Sequence, residues 1–163
     1  MGLIASKKVE ETIASSPAFT AACDSIYADC LSEAQHAFPG LRRYQLPDAA
    51  VRLRASLSTT IPLIHRWVPS PPSQAQVDAA LRRLDPNAEW ENLSPNEFQS
   101  FAAELFRESV VSGVSAAVIQ RVSIGAASIG GIGIASHAGA GLVGRMIGVY
   151  VAGVAAAVYL SLS

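Results

Sequence analysis

The sequence predicts an all-α fold: a cytosolic helical domain followed by a C-terminal transmembrane helical hairpin. Three observations predict it. Residues 1–121 hold every proline and every charged side chain except Arg145, whereas 122–163 is apolar and rich in glycine. Apolar residues in the first part recur at spacings of three and four, with no alternating run long enough to build a sheet. The last segment, at about 1.5 Å per residue, makes about 63 Å of helix, two crossings of a hydrocarbon core about 30 Å thick. The net charge of −1 leaves no basic stripe, so no nucleic-acid partner is expected.

Met1–Glu11 lacks the apolar stretch of a secretory signal, which leaves the N-terminus on the cytosolic side. Residues 1–8 match the N-myristoylation pattern Met-Gly-x-x-x-Ser/Thr, followed by Lys7 and Lys8. Acylation of Gly2 would supply a marginal anchor, and the two lysines would add attraction to anionic headgroups. The alternative is that Gly2 is simply the second residue and the lysines solvate a helix start.

The cytosolic domain, 9–121, reads as helices punctuated by proline. Ser16-Pro17 opens the first, with Phe19, Cys23, Ile26, Cys30, Ala34 and Ala37 on one face until Pro39-Gly40 stops it. A second covers Pro47–Thr60, with Leu46, Ala50, Leu53 and Leu57 inward and Arg52 and Arg54 outward. Pro62 and the connector at 68–72 follow, a stiff segment that divides two lobes in this reading. Ser73-x-x-Gln76 caps a third helix that buries Val77, Ala80, Leu81 and Leu84. Ser94-Pro95-Asn96-Glu97 is a capping box opening a fourth, with Phe98, Phe101, Ala102, Leu105 and Phe106 inward. No proline follows Pro95, so this helix can run unbroken toward Arg121 and deliver the chain into the membrane.

In the hairpin, the turn is placed at residues 137–141, between an arm ending near Ser136 and one running from about Leu142 to Leu162. Ser123, Ala127, Gly131, Ala135 and Gly139 recur every four residues in the first arm, and Ala140, Gly144, Gly148, Ala152 and Ala156 do so in the second. Such glycine-zipper stripes let helix backbones approach closely in lipid. A single tail anchor, Met146–Leu162, is the competing topology, because a hairpin carries Arg145 to the far side.

The helix–loop–helix at 73–107 resembles an EF-hand, in degenerate form. Asp85, Asn87 and Glu89 match ligand positions one, three and five, but Trp90 stands at position six, where glycine belongs, and Asn96 at position twelve, where a bidentate glutamate belongs. What the resemblance implies is a helix pair suited to a partner helix, without a calcium site. The opening 1–8, the stretch Trp67-Val68-Pro69-Ser70-Pro71-Pro72 with Ala75-Gln76-Val77-Asp78, and the ending from Ile147 to Leu162 are similar to an uncharacterised family of small plant membrane proteins. That resemblance implies no activity.

Reactive groups are sparse. Cys23 and Cys30 share a helix face, too far apart for a disulfide, and fit core packing in a reducing compartment; palmitoylation would require an exposed thiol. His36, His65 and His137 lack metal-ligand spacing, and neither a phosphate loop nor a nucleophile elbow is present. The expectation is a non-enzymatic, membrane-anchored interaction or scaffold protein with no cofactor or metal. It would bind membrane lipid and a protein partner or further copies through the small-residue stripes. The alternative is a small subunit of a membrane channel, transport or translocation complex.

Overall fold

The computed structural model describes residues 2–135 and four later positions, Gly153, Ala156, Ala157 and Leu160, with side chains described for 6–121 and those four. The fold is all-α. Met1–Val111 forms one compact unit and Ser112–Ser163 a second.

The first unit begins with α1, Gly2–Ala14. Val9 and Ile13, one helical turn apart, are both buried and dock this helix onto the rest of the unit. α2, Pro17–Glu33, starts behind Ser16 with proline in its first turn. It buries Phe19, Cys23, Tyr27 and Cys30; Ile26, expected on that face, is only half-buried and Tyr27 takes the place.

The helix also stops short of Pro39. Gln35 and His36 take left-handed φ values of 52° and 54°, and the His36 amide reaches back to the Leu31 carbonyl at 2.9 Å, the long reverse bond of a helix C-cap. The Gln45 side-chain amide then donates to the Cys30 carbonyl at 3.0 Å, satisfying a helix-end acceptor from the following segment.

Gly40 leads into β1, Leu41–Arg42, and a 3-10 turn, Arg43–Gln45. α3, Leu46–Thr60, buries Leu46, Ala49, Ala50, Leu53 and Leu57. Its Arg52 turns outward as expected, to Glu33 (Nη2–Oε2 3.1 Å) and Asp48 (2.8 Å). α4, Pro62–Trp67, is a short helix that sequence reading takes for a break; Pro62 sits in its first turn, where the missing N–H costs nothing.

The connector at 68–72 does not divide lobes. Val68 and Pro72 are buried, and Arg54 clamps the segment by donating to the carbonyls of Val68 (3.1 Å) and Pro69 (2.7 Å). α5, Gln74–Leu84, carries the expected Ser73/Gln76 capping box and buries Val77, Ala80 and Leu81. β2, Asn92–Leu93, precedes α6, Pro95–Ala135. The Ser94 amide donates to Glu97 Oε2 at 2.7 Å and the Glu97 amide to Ser94 Oγ at 3.4 Å, the capping box the sequence spells.

The core is aromatic and lies along the first four turns of α6. Phe98, Phe101 and Phe106 are fully buried, and Tyr27 packs on Phe98 with ring centroids 5.8 Å apart, tilted 48°. Such tilted pairs add to the stabilisation that area burial gives.

In the second unit, α6 extends to Ala135 with Val114 its last buried side chain among the described residues. Ser123, Ala127, Gly131 and Ala135 therefore fall on one continuous helix, where spacing four advances only about 40° per step around the axis. Among the described residues no helix is long and apolar enough to cross a membrane. The turn at 137–141 and most of the second arm lie outside the described residues.

Candidate functional site

Two helix–loop–helix units make up most of the first unit: α2–loop–α3 and α5–loop–α6. Their loops meet. Leu41 pairs with Leu93 and Arg42 with Asn92 in a two-residue antiparallel bridge, too short to be seen as a strand pattern in sequence. Gly40 is required at the approach, because a Cβ there would collide with the Leu93 carbonyl, whose carbon would be 3.0 Å away. Tyr27 seals the bridge from α2, its hydroxyl donating to the Leu93 carbonyl at 3.0 Å.

The register of the bridge brings Arg43 beside the 85–91 loop. Its guanidinium forms an ion pair with Asp85 Oδ2 and donates from Nε to the Trp90 carbonyl at 3.0 Å. Asp85 follows α5 directly and has only 4% of its side chain exposed. Its carboxylate also accepts the amides of Glu89 (2.7 Å) and Trp90 (2.9 Å), folding the loop around itself. Burial pushes the Asp85 carboxyl up, but the two amides and then Arg43 outweigh it, so the group titrates below its ordinary value. Ala88 holds a left-handed φ of 57° in the middle of this loop. A shallow surface cavity of about 400 Å³, lined by Arg42, Arg43, Tyr44, Ala88, Trp90 and Glu91, lies over the junction.

A second charged cluster joins α5, α6 and α1. Arg83 Nη1 lies 2.9 Å from Glu104 Oε1 and 2.7 Å from Glu108 Oε2. Arg107 closes on Glu104 at 2.6 Å and also donates to the Ser6 hydroxyl. Burial raises the Glu104 carboxyl, but the hydrogen bonds from Arg107 and Arg83 and their charges hold it lower than usual. Every carboxylate here is matched to a guanidinium, so the cluster offers no free acid or base.

Burial, helped by Asp24, pushes the Cys23 thiol up to about 12. Burial likewise raises Cys30, against the nearby Arg52 charge. Both cysteines are free and buried, so neither offers a nucleophile or an accessible acylation point in this fold. His36 and His65 are exposed and separate, and no group of three metal-ligating side chains occurs among the described residues.

Of the residues singled out from sequence, Gly2 is the first residue of α1. Ser123, Ala127, Gly131 and Ala135 are backbone positions of α6, and Ala156 is helical and exposed. Gly139, Ala140, Gly144, Gly148 and Ala152 lie outside the described residues. Sequence reading picks out Asp85 but misses Arg43, its partner 42 positions away; the only local signal is the doubled arginine Arg42-Arg43.

Comparison of the chain with protein-family models, with curated proteins and with solved structures finds no match in any of the three. A functional reading therefore rests on the residues themselves.

Proposed function

We propose that the chain is a membrane-anchored, non-enzymatic interaction or scaffold protein. Its helical module, in which residues 73–107 resemble a degenerate EF-hand-like helix pair, presents a protein-binding surface on the cytosolic face of a membrane. Gly2, acylated, and a glycine-zipper hairpin over 122–163 hold it there. The observation that carries this reading is the change of character along α6. Up to Val110 the helix carries the buried core of the module, and after Arg121 it has no charged residue through Ala135.

Two further features bear on it. Large apolar side chains are exposed at Ile119 and Leu160, as at Tyr44 and Val51 within the module. Within the module, Arg43 is paired with Asp85, and Arg83 and Arg107 with Glu104 and Glu108, so these two charged clusters serve to hold its elements together.

The test is assembly. In detergent, the scaffold reading predicts that Gly148→Leu changes neither the size of the particle nor partner capture by residues 1–121. If instead the protein runs as a defined oligomer that Gly148→Leu breaks without releasing the module's partner, the channel or translocation subunit is the better description. Intact mass tests the second anchor: loss of Met1 and a gain of about 210 Da at Gly2 are expected, and an unmodified or acetylated terminus rejects it.

A further inference from the structure

Asp85 begins a loop, and its carboxylate gathers the Glu89 and Trp90 amides inward. A carboxylate so deeply buried needs a positive charge beside it, and the chain itself supplies one. Arg43 sits where the antiparallel register, extended one residue past Arg42–Asn92, sets it opposite Glu91. It meets the loop at two acceptors of different kind, the Asp85 carboxylate and the Trp90 carbonyl. We propose that Arg43, carried by the first loop, is the permanent cation of the second, so that the module closes and stays paired without any metal.

Three observations converge on this. The Asp85 side chain is almost wholly buried, and a buried carboxylate demands a partner charge. Its other oxygen is occupied by the Glu89 amide, which leaves the guanidinium as the one cationic partner of Asp85 among the described residues. The other polar side chains of the loop do not reach Asp85: Asn87 and Glu89 are exposed, and Asn92 has a buried Oδ1 with no hydrogen-bond partner among the described residues. The planar fork of arginine suits the task because one group reaches a carboxylate and a carbonyl together, which a lysine ammonium does less well. The consequence is functional. A module with a built-in cation is constitutively assembled, so its partner surface does not answer to calcium. This inference does not depend on membrane attachment.

The experiment uses the full chain in detergent micelles, with thermal unfolding followed by tryptophan fluorescence. Both tryptophans, Trp67 and Trp90, lie in the first unit, so the signal reports that unit alone. The wild-type midpoint is expected to be the same in EDTA and in millimolar calcium. Arg43→Gln and Asp85→Asn are each expected to lower it by several degrees, and the double variant to lose less than the sum of the two, because the pair they share is lost in either. A rise of the wild-type midpoint with calcium, an unchanged midpoint in Arg43→Gln, or additive losses in the double variant would overturn the proposal. Should Arg43→Gln fail to fold, Arg43→Lys decides. A midpoint unmoved by calcium supports the proposal, whereas one that calcium raises overturns it.

Discussion

The two stretches of α6 obey different rules although no break separates them. From Pro95 to Val110 the helix buries Phe98, Phe101, Ala102, Leu105, Phe106 and Val110 on one side and pays out Glu97, Glu104, Arg107 and Glu108 on the other. From Ser112 to Arg121 only Val114 is buried, and Ile119 is exposed. The first stretch is tied to α2 by the Tyr27–Phe98 ring pair and to α5 by the ion pairs of Arg83 with Glu104 and Glu108. In the second, Val114 is the last buried side chain among the described residues and Ile119 is exposed. What the contrast teaches is that a periodic apolar face says where a helix packs, whereas an apolar run without a polar counterpart says only that something outside it is required.

The sharpest way to break the contrast is at the aromatic core. Phe101→Ala should cost about 3–5 kcal/mol, read by chemical denaturation, while leaving retention of the protein in membranes unchanged. Equal losses of retention and stability would mean that the two stretches are not independent. Next in size is the loop junction. Gly40→Ala forces a methyl into the Leu93 carbonyl and should destabilise the first unit by about 1–3 kcal/mol, with loss of amide-exchange protection at Leu41 and Leu93; unchanged protection would contradict the bridge. Smaller again, Ser94→Ala removes an N-cap and should cost about 1 kcal/mol in the same denaturation experiment.

The smallest effect is electrostatic and sharpens the comparison through pH. The Glu104 carboxyl titrates lower in the folded chain than in the unfolded one. Its stabilisation is therefore complete above the ordinary carboxylate range and drains away as pH falls through the depressed folded value. Arg83→Met should flatten that acid limb modestly, because Arg107 still holds Glu104 at 2.6 Å. A limb of unchanged steepness would show that Arg83 contributes nothing.

The elements legible in the sequence were those whose signals are local. Ser73/Gln76 and Ser94/Glu97 announce their helices because a capping box is four consecutive residues. The Phe98–Phe106 face announces itself by spacing. What escaped depends on distant partners. α2 ends at Glu33 rather than near Pro39, because Gln45 takes the Cys30 carbonyl and the chain turns left-handed at Gln35 and His36. Tyr27 displaces Ile26 from the core because its hydroxyl has a carbonyl to reach on β2. Pro62 looked like a break and is a first-turn residue of α4. The candidate site was half legible: Asp85 stood out by loop position, but Arg43 comes to it through a bridge of two residue pairs, which leaves no periodicity to read.

The central claim is that this module is held on a bilayer by the chain that follows it. Alkaline carbonate extraction of membranes from cells expressing the full chain tests it most directly. The account predicts that the protein stays in the membrane pellet, and that ending the chain at Arg121 sends it to the supernatant. Quantitative release of the full chain into the supernatant would contradict both the hairpin and the single tail anchor, Met146–Leu162.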